Sequence, residues 1–549
     1  MAIFFGCYGI PDIGDPDFPE WIHDHNLCVI EDGNIKEYIH LERYTRLKYH
    51  ARMQDYLEGF ARNLKLIPAQ KIKFAFVDNE FGRALISNRG QIRFESAQEA
   101  TLKNKLEPAK LFWFGDWAES YAINHELAHI FSCVPFYGGF KNNGLLVHFD
   151  GGASLSNFSA WTFKNSKIKL VEAHYRYKWL SSLFNANALV FAIVGAKKRE
   201  QNVVPGKFMG IEAYGKYSKA IEAWLTENEY FKNIWSSKKQ FFQAVKSRFN
   251  IELKSIDTKN KFIQDIAATI HAVFIRESMQ IFRELKEKTN SDFLYYTGGS
   301  ALNIKLNAAL INSGLFSEIY IPPCANDSGL SIGAAAALSY FSGSPMTISE
   351  PFLNNYEIKK YQGFSYTEVD IAEAAKLIFS GKIIGICNGF GEAGPRALGN
   401  RSLIARADNI SLAQKLSCKL KKREWYRPVA PVVLAENARY FTGLEEIPQI
   451  SKYMLTEFLI KKDKIDEIKA CVHVDGTSRM QVLFQREQNA YMYDLLVYLN
   501  KTYQVKALIN TSFNQSGEPI VHTVEQAKKS GLAMNLDALV FNGRLEKTS

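Results

Sequence analysis

Lys382-Ile383-Ile384-Gly385-Ile386-Cys387 runs on towards Gly394-Pro395-Arg396-Ala397-Leu398-Gly399-Asn400-Arg401-Ser402. The first string reads as an apolar strand, with a helix expected before it at 369–380. The second is a glycine-rich loop that carries Arg396 and Arg401. The same alternation recurs upstream. Residues 144–150 read as a strand ending in Asp150-Gly151-Gly152, and residues 292–297 as a strand ending in Thr297-Gly298-Gly299-Ser300 before a helix. Strands alternating with helices in both halves predict an α/β fold.

Other elements follow from local signals. Met1-Ala2-Ile3-Phe4-Phe5 reads as a first strand, and 27–41 as a hairpin about Asp32-Gly33. Residues 117–133 have helical spacing, 186–196 reads as a core helix, and 217–290 as mostly helical with solvated basic faces. A strand at 319–322 precedes a small-residue helix at 330–341. No internal repeat is legible. Breakers from Ser342-Gly343-Ser344-Pro345 to Asn354-Asn355 divide the chain, which predicts domains at 1–345 and 356–549.

A chain of 549 residues exceeds what one hydrophobic core supports. Its 47% hydrophobic and 23% charged content exclude long disorder. The net charge of +10 is spread along the chain, without a basic tail or a nucleic-acid motif, which argues against a nucleic-acid partner. Seven scattered cysteines without a C-x-x-C pair fit free thiols in a reducing compartment. The N-terminus lacks the basic region of a signal peptide, and no stretch has the length of a membrane span. The expectation is a cytoplasmic, soluble protein.

Two sets of residues carry chemistry. In the second half, Lys421-Lys422-Arg423-Glu424-Trp425-Tyr426-Arg427 and Arg479 join Arg396 inside apolar surroundings. Buried cations are costly unless paired, so the cluster implies an anionic ligand, and arginine's fork suits phosphate or carboxylate oxygens. Arg396, Lys421, Arg423, Arg427 and Arg479 are the first candidates, with Arg401 and Lys422 in reserve. Asn510 and Ser512, in Asn510-Thr511-Ser512-Phe513-Asn514, offer neutral hydrogen bonds.

In the first half, His125-Glu126-Leu127-Ala128-His129 places two imidazoles on one helix face. Asp327, after an apolar strand and before the small-residue helix, is placed as a distant third ligand, though it could equally be an N-cap. Two imidazoles and a carboxylate suit iron(II), zinc or manganese. The string is also H-E-x-x-H, in which a zinc peptidase would use Glu126 as general base. Residues 130–150 offer that alternative only His148 and Asp150 as further ligands.

Taken together these residues resemble the O-carbamoyltransferases of antibiotic and nodulation-factor biosynthesis. The likeness spans nearly the whole chain. It rests on His23-Asp24, Glu42-Arg43-Tyr44-Thr45-Arg46, His125-x-x-x-His129, Asp150-Gly151-Gly152, Gly206-Lys207-Phe208-Met209-Gly210, Gly298-Gly299-x-x-Leu302-Asn303 and Asp327-Ser328-Gly329. Beyond these it rests on Gly394 to Ser402, Arg423-Glu424-x-x-Arg427-Pro428, His473-x-Asp475-Gly476-Thr477-x-Arg479-x-Gln481 and Asn510 to Asn514 with Glu518-Pro519-Ile520. The resemblance implies an actin-like ATPase-type domain followed by a YrdC-like α/β domain. It implies that the second domain makes carbamoyl adenylate from carbamoyl phosphate and ATP, with magnesium accompanying the ATP. The first would pass the carbamoyl group to a hydroxyl of a small-molecule acceptor beside a divalent metal held by His125, His129 and Asp327, iron(II) before zinc or manganese. Asp150, Gly151, Gly298, Gly299 and Asn303 would frame a nucleotide in the first domain, and His23 would be the base for the acceptor, with His25 as understudy. Neither nucleic acid nor membrane is implied as a partner. Oligomeric state is open, a homodimer included.

The chain departs from the family pattern in places. His25-Asn26 stands for the usual Ala-Ser after His23-Asp24, which bears on the acceptor pocket. Ala153 stands for the last glycine of Asp-Gly-x-Gly, Pro205 replaces a common acidic residue, and Val429 and Val432 alter Arg-Pro-Phe-Ala-Pro-Ser. The remaining alternatives are a metallopeptidase and a nucleotide-binding scaffold without turnover.

Overall fold

The computed structural model describes residues 3–11, 22–67, 71–79, 82–96, 102, 104–185, 188–196, 200–230, 237–358 and 365–548. The α/β class expected from the sequence is what it has.

The first half is built twice on one strand plan. Ile3–Tyr8 pairs antiparallel with Asn26–Glu31, which pairs antiparallel with Asn34–His40 across the Asp32-Gly33 turn. On its other side Ile3–Tyr8 runs parallel to Ile72–Val77, which runs parallel to Asp116–Ile123. Gly144–Phe149 repeats these relations. It is antiparallel to Phe158–Lys164, which is antiparallel to Lys167–His174, and it is parallel to Phe293–Thr297, which is parallel to Glu318–Tyr320. The sequence shows no repeat because the two copies share order and direction, not residues. The central strands are buried on both faces, so each reads as an unbroken apolar run and not as an alternating one.

The helix expected over 117–133 is shorter. Asp116–Ile123 is a strand, paired on one side with Ile72–Val77 and on the other with Glu107–Trp113. Pairing on both edges overrides the local helical spacing. Only His125–Phe131 is helical. The remaining elements lie close to expectation. Leu330–Phe341 and Lys261–Thr289 are helices, and Ala188–Val194 is a core helix burying Leu189, Val190, Ile193 and Val194. Among the described residues no helix is long and apolar enough to cross a membrane.

The second half centres on a seven-stranded sheet ordered Gln481–Leu483, Ala430–Leu434, Ala507–Ser512, Arg401–Arg406, Ile384–Cys387, Ala538–Phe541 and Arg544–Lys547. The helix before it, Glu368–Phe379, starts at a capping box made by Thr367 and Asp370. Phe352–Asn354 and Gly391–Glu392 pair onto the first sheet at Asn34–His40, so the arginine loop begins at that sheet's edge. The Glu42–Arg46 motif completes the junction. Arg43 Nη2 donates to Gly394 O at 3.1 Å, and Arg46 donates to Ile520 O at 2.7 Å and to Pro519 O at 2.8 Å. Lys207 and Lys305 add ion pairs with Glu424 at 2.9 Å and Asp475 at 2.8 Å.

The two copies of the plan meet through His125–Phe131 and Leu330–Phe341, which pack on each other. Ala334 to Ala337 are fully buried. Gly333 is what permits the approach, since a Cβ there would sit 1.8 Å from Ala128 O. Gly333→Val should therefore force these helices apart. Overpacking of this kind costs about 1–3 kcal/mol, and urea denaturation should show a loss in that range; an unchanged midpoint would contradict the packing argument.

Candidate active site

The helix contact brings the predicted metal residues together. His125 Nε2 lies 3.1 Å from His129 Nε2, and Asp327 Oδ1 lies 3.6 Å from the first and 3.4 Å from the second. All three residues are buried, and their ligand atoms lie within 4.8 Å of one another. Two nitrogens bound at about 2.0–2.1 Å to one tetrahedral ion stand roughly 3.3–3.4 Å apart. The donor set and its spacing thus fit a divalent ion. Asp150 Oδ2 is 3.8 Å from His129 Nε2, within reach of the same point.

Other residues hold these groups in place. Tyr8 donates to Asp327 Oδ2 at 3.0 Å, and the Asn26 amide bonds Asp327 O and Ser331 N. His25 Nδ1 accepts from Met53 N at 3.2 Å. His25 and Asn26 are fully buried, so this departure from the family pattern is absorbed behind the site and not in the pocket wall. Burial and His50 bring the His25 pKa down to about 3.

Glu126 is committed elsewhere. Its Oε1 accepts from Leu155 N at 2.7 Å and Ser156 N at 2.8 Å, and its Oε2 from Ser154 Oγ at 2.6 Å. It fastens the loop that follows Asp150 and is not poised as the base of a peptidase.

His23 stands at the mouth of this cluster. Asp24 Oδ2 accepts from its Nδ1 at 3.0 Å, which leaves Nε2 facing Asp327 Oδ2 at 3.9 Å. His40 and the Asn326 amide hold Asp24 in turn, at 3.0 and 3.1 Å. Burial would lower the His23 pKa, but the Asp327 and Asp24 carboxylates more than reverse this and raise it to about 10.

The Asp150 carboxylate also closes the two glycine turns. It accepts from Gly151 N and from Gly299 N, each at 2.6 Å. Gly298 has φ +92°, and a Cβ there would meet Phe149 O at 2.3 Å, so this turn admits no side chain. Asn303 caps the following helix at Leu306 N and bonds His271 Nε2 at 2.9 Å.

The cation cluster lies opposite. Lys421 Nζ donates to Ser512 O, to Ser512 Oγ at 2.8 Å and to Asn514 Oδ1 at 2.7 Å. Burial and then Arg427 and Arg396 pull the Arg423 pKa down to about 9, and burial and then Arg427 pull that of Arg396 to about 10. Burial, followed by neighbouring cations, also lowers Lys421 and Arg479. The fold therefore holds several like charges together, tempered by Glu424 beside Arg427 at 3.5 Å. Such a cluster balances when an anion arrives.

A single cavity of about 520 Å³ joins the two ends. His23, Asp150, Gly151, Gly299, Asn303 and Asp327 line one part, and Arg396, Lys421, Arg423, Arg427 and Ser512 line the other. His125, His129, Gly298, Arg479 and Asn510 are not among the residues that line it. Asn510 donates to Ala397 O at 3.2 Å and to Gln481 Oε1 at 2.6 Å, which braces the arginine loop.

Residues 109–336 match the family model described as the carbamoyltransferase N-terminus, and residues 375–547 match that of the carbamoyltransferase C-terminus. The chain belongs to the carbamoyltransferase family. It is an enzyme of that family, and three relatives frame it. Uncharacterized protein sll1178 of Synechocystis sp. is 33% identical over 96% of this chain and 96% of its own length. Nodulation protein NolNO of Sinorhizobium fredii is 27% identical over 97% of this chain and 80% of its own. The 3'-hydroxymethylcephem-O-carbamoyltransferase of Streptomyces clavuligerus is 24% identical over 91% and 92%. Full-length HypF in a phosphate- and nucleotide-bound form overlays with a TM-score of 0.33 at 14% identity, over 63% of this chain and 56% of that one, a likeness too remote to argue from.

This carbamoyltransferase also uses residues that sequence reasoning passed over. Lys48 comes from the first half but lines the cavity and adds to the repulsion felt by Lys421. Its closeness to the Glu42–Arg46 motif was the available signal. Glu392 Oε1 accepts from the backbone N–H of Leu398, Asn400 and Arg401 at 2.8–3.1 Å and sets the arginine loop. Arg401, a reserve candidate for ligand binding, is instead structural. Its guanidinium is 1% exposed and donates to the carbonyls of Asn388, Gly389, Asn400 and His522.

The two kinds of arginine should separate by experiment. Arg401→Lys strands several carbonyls and should cost about 2–3 kcal/mol in chemical denaturation. Arg427→Ala relieves like-charge repulsion and should leave the unliganded protein as stable as before, or more so. Equal destabilisation by both would contradict this sorting.

Proposed function

We propose that this carbamoyltransferase makes carbamoyl adenylate at the cationic end of the cavity and carbamoylates a small-molecule hydroxyl at the histidine end. In this reading residues 356–549, of YrdC-like type, carry out activation, and residues 1–345, of actin-like ATPase type, carry out transfer. The observation that carries the reading is the continuous cavity between an incompletely neutralised cation cluster and a group of His and Asp residues. Carbamoyl phosphate and ATP, with magnesium accompanying the ATP, supply the anions that the cluster calls for.

Activation begins with hydrolysis of carbamoyl phosphate to phosphate and carbamate. A carbamate oxygen then attacks the α-phosphorus of ATP, and pyrophosphate leaves. Arg396, Lys421, Arg423 and Arg427 spread the charge on the phosphoryl oxygens, which is most of what such a transfer needs. Ser512 orients Lys421, and Arg479, close enough to feel Arg396, Arg423 and Arg427, adds positive potential. Glycine turns at Asp150-Gly151 and Gly298-Gly299 let backbone approach a nucleotide closely.

In transfer, the acceptor oxygen attacks the carbonyl carbon of the adenylate and AMP leaves. Asp24 fixes the His23 ring so that Nε2 points into the cavity, where it would take the hydroxyl proton in its neutral form; a divalent cation at Asp327 would offset the carboxylate charge that otherwise keeps this ring protonated. His125, His129 and Asp327 would hold the divalent ion, iron(II) in the first instance, with Asp150 at its edge. Such an ion supplies Lewis acidity to a carbonyl or phosphate oxygen.

The test separates the two ends. Arg427→Ala should reduce pyrophosphate release from ATP in the presence of carbamoyl phosphate by about a hundredfold or more. His125→Ala combined with His129→Ala should leave pyrophosphate release in place and abolish carbamoylation of any hydroxyl acceptor that the parent enzyme accepts. Loss of both steps in the double variant, with its fold intact, would overturn the division of labour.

A further inference from the structure

His148 has no part in the scheme above, yet it lies against it. It sits on the central strand Gly144–Phe149, two residues before Asp150, and is fully buried. Its ring stacks on that of His129 with centroids 5.0 Å apart and an interplanar angle of 25°. Nδ1 is 3.3 Å from Ser159 Oγ, whereas Nε2 is buried without a hydrogen-bond partner among the described residues. One ligand atom each of His148, His129 and Asp150 lie within 4.8 Å of one another, and His129 also belongs to the set with His125 and Asp327. A buried imidazole nitrogen left unpaired costs desolvation energy, and the strand supplies nothing to offset that cost.

We infer that His148 Nε2 is a further nitrogen donor at this centre: it belongs to a second donor set with Asp150 and the shared His129, which a small shift of these side chains on ion binding would bring onto the ion held by His125, His129 and Asp327. The inference rests on the metal reading of His125, His129 and Asp327. Ser159 fixes the ring by its contact at Nδ1, which leaves the Nε2 lone pair free for an ion. Added imidazole shifts preference towards iron(II), cobalt(II) or zinc and away from magnesium and manganese, which favour oxygen ligands. His148 thereby acts on metal affinity and selectivity, not on the reacting atoms.

Cobalt(II) titration of the full chain tests this, since its visible ligand-field bands report coordination and a competing chelator reports affinity. The parent protein should bind one cobalt(II) per chain. His148→Phe keeps an aromatic ring against His129 but removes the donor. It should weaken cobalt(II) binding by roughly ten- to a hundredfold and change the visible bands, while magnesium binding stays at the parent level. His148→Asn serves the same purpose if the phenylalanine variant does not fold. Unchanged affinity and unchanged bands in a folded variant would overturn the inference and leave the three-residue centre standing. Failure of the parent protein to bind cobalt(II), iron(II) or zinc would overturn both.

Discussion

Positive charge confined with too little counter-charge governs this molecule. Arg396, Arg423 and Arg427 face one another, Lys421 packs behind Ser512, and Lys48 reaches in from the other half. Each additional cation makes its neighbours less stable as cations, because burial removes the water that would screen them. The fold tolerates this because Glu392 and Arg401, both inside the loop's own framework, satisfy each other's surroundings and hold the loop without an anion. The energy needed to bind several negative oxygens is thus stored before ligand arrives, as preorganised potential.

The second constraint is geometric. Two copies of one strand plan each end in a helix, and those helices touch at Gly333 and Ala128. His125 and His129 come from the first copy's helix and Asp327 from the turn that starts the second copy's. An ion there would cross-link the copies, and Asp150, which accepts from Gly151 N and Gly299 N, links that ion's surroundings to both glycine turns. The Glu42–Arg46 segment then ties this half to the arginine loop by side chain to carbonyl bonds. Residues that lie far apart along the chain meet around one cavity for this reason.

Much of this was legible. The apolar runs gave the strands because central parallel strands are buried on both faces, and i, i+4 spacing gave the histidine pair because it survives any helix packing. The arginines announced themselves by lying in apolar company. Other features were hidden. The duplicated plan lives in strand order, which composition does not record. The strand over Asp116–Ile123 owes its form to partners on both edges and looks helical in isolation. Arg396 and Arg401 are indistinguishable as letters; only carbonyls at Asn388 and His522 tell the structural arginine from the one that lines the cavity. Glu126 similarly matches a peptidase motif by spelling and departs from it by hydrogen bonding. Lys48 and His148 gain meaning only from residues brought to them by the fold.

In the proposed function the two ends share one cavity and pass a labile intermediate across it. Rapid gel filtration of the full chain after mixing with carbon-labelled carbamoyl phosphate and α-phosphorus-labelled ATP, without acceptor, tests this directly. The account predicts that both labels co-elute with the protein in equal amounts, approaching one of each per chain. Release of pyrophosphate with neither label retained would contradict it.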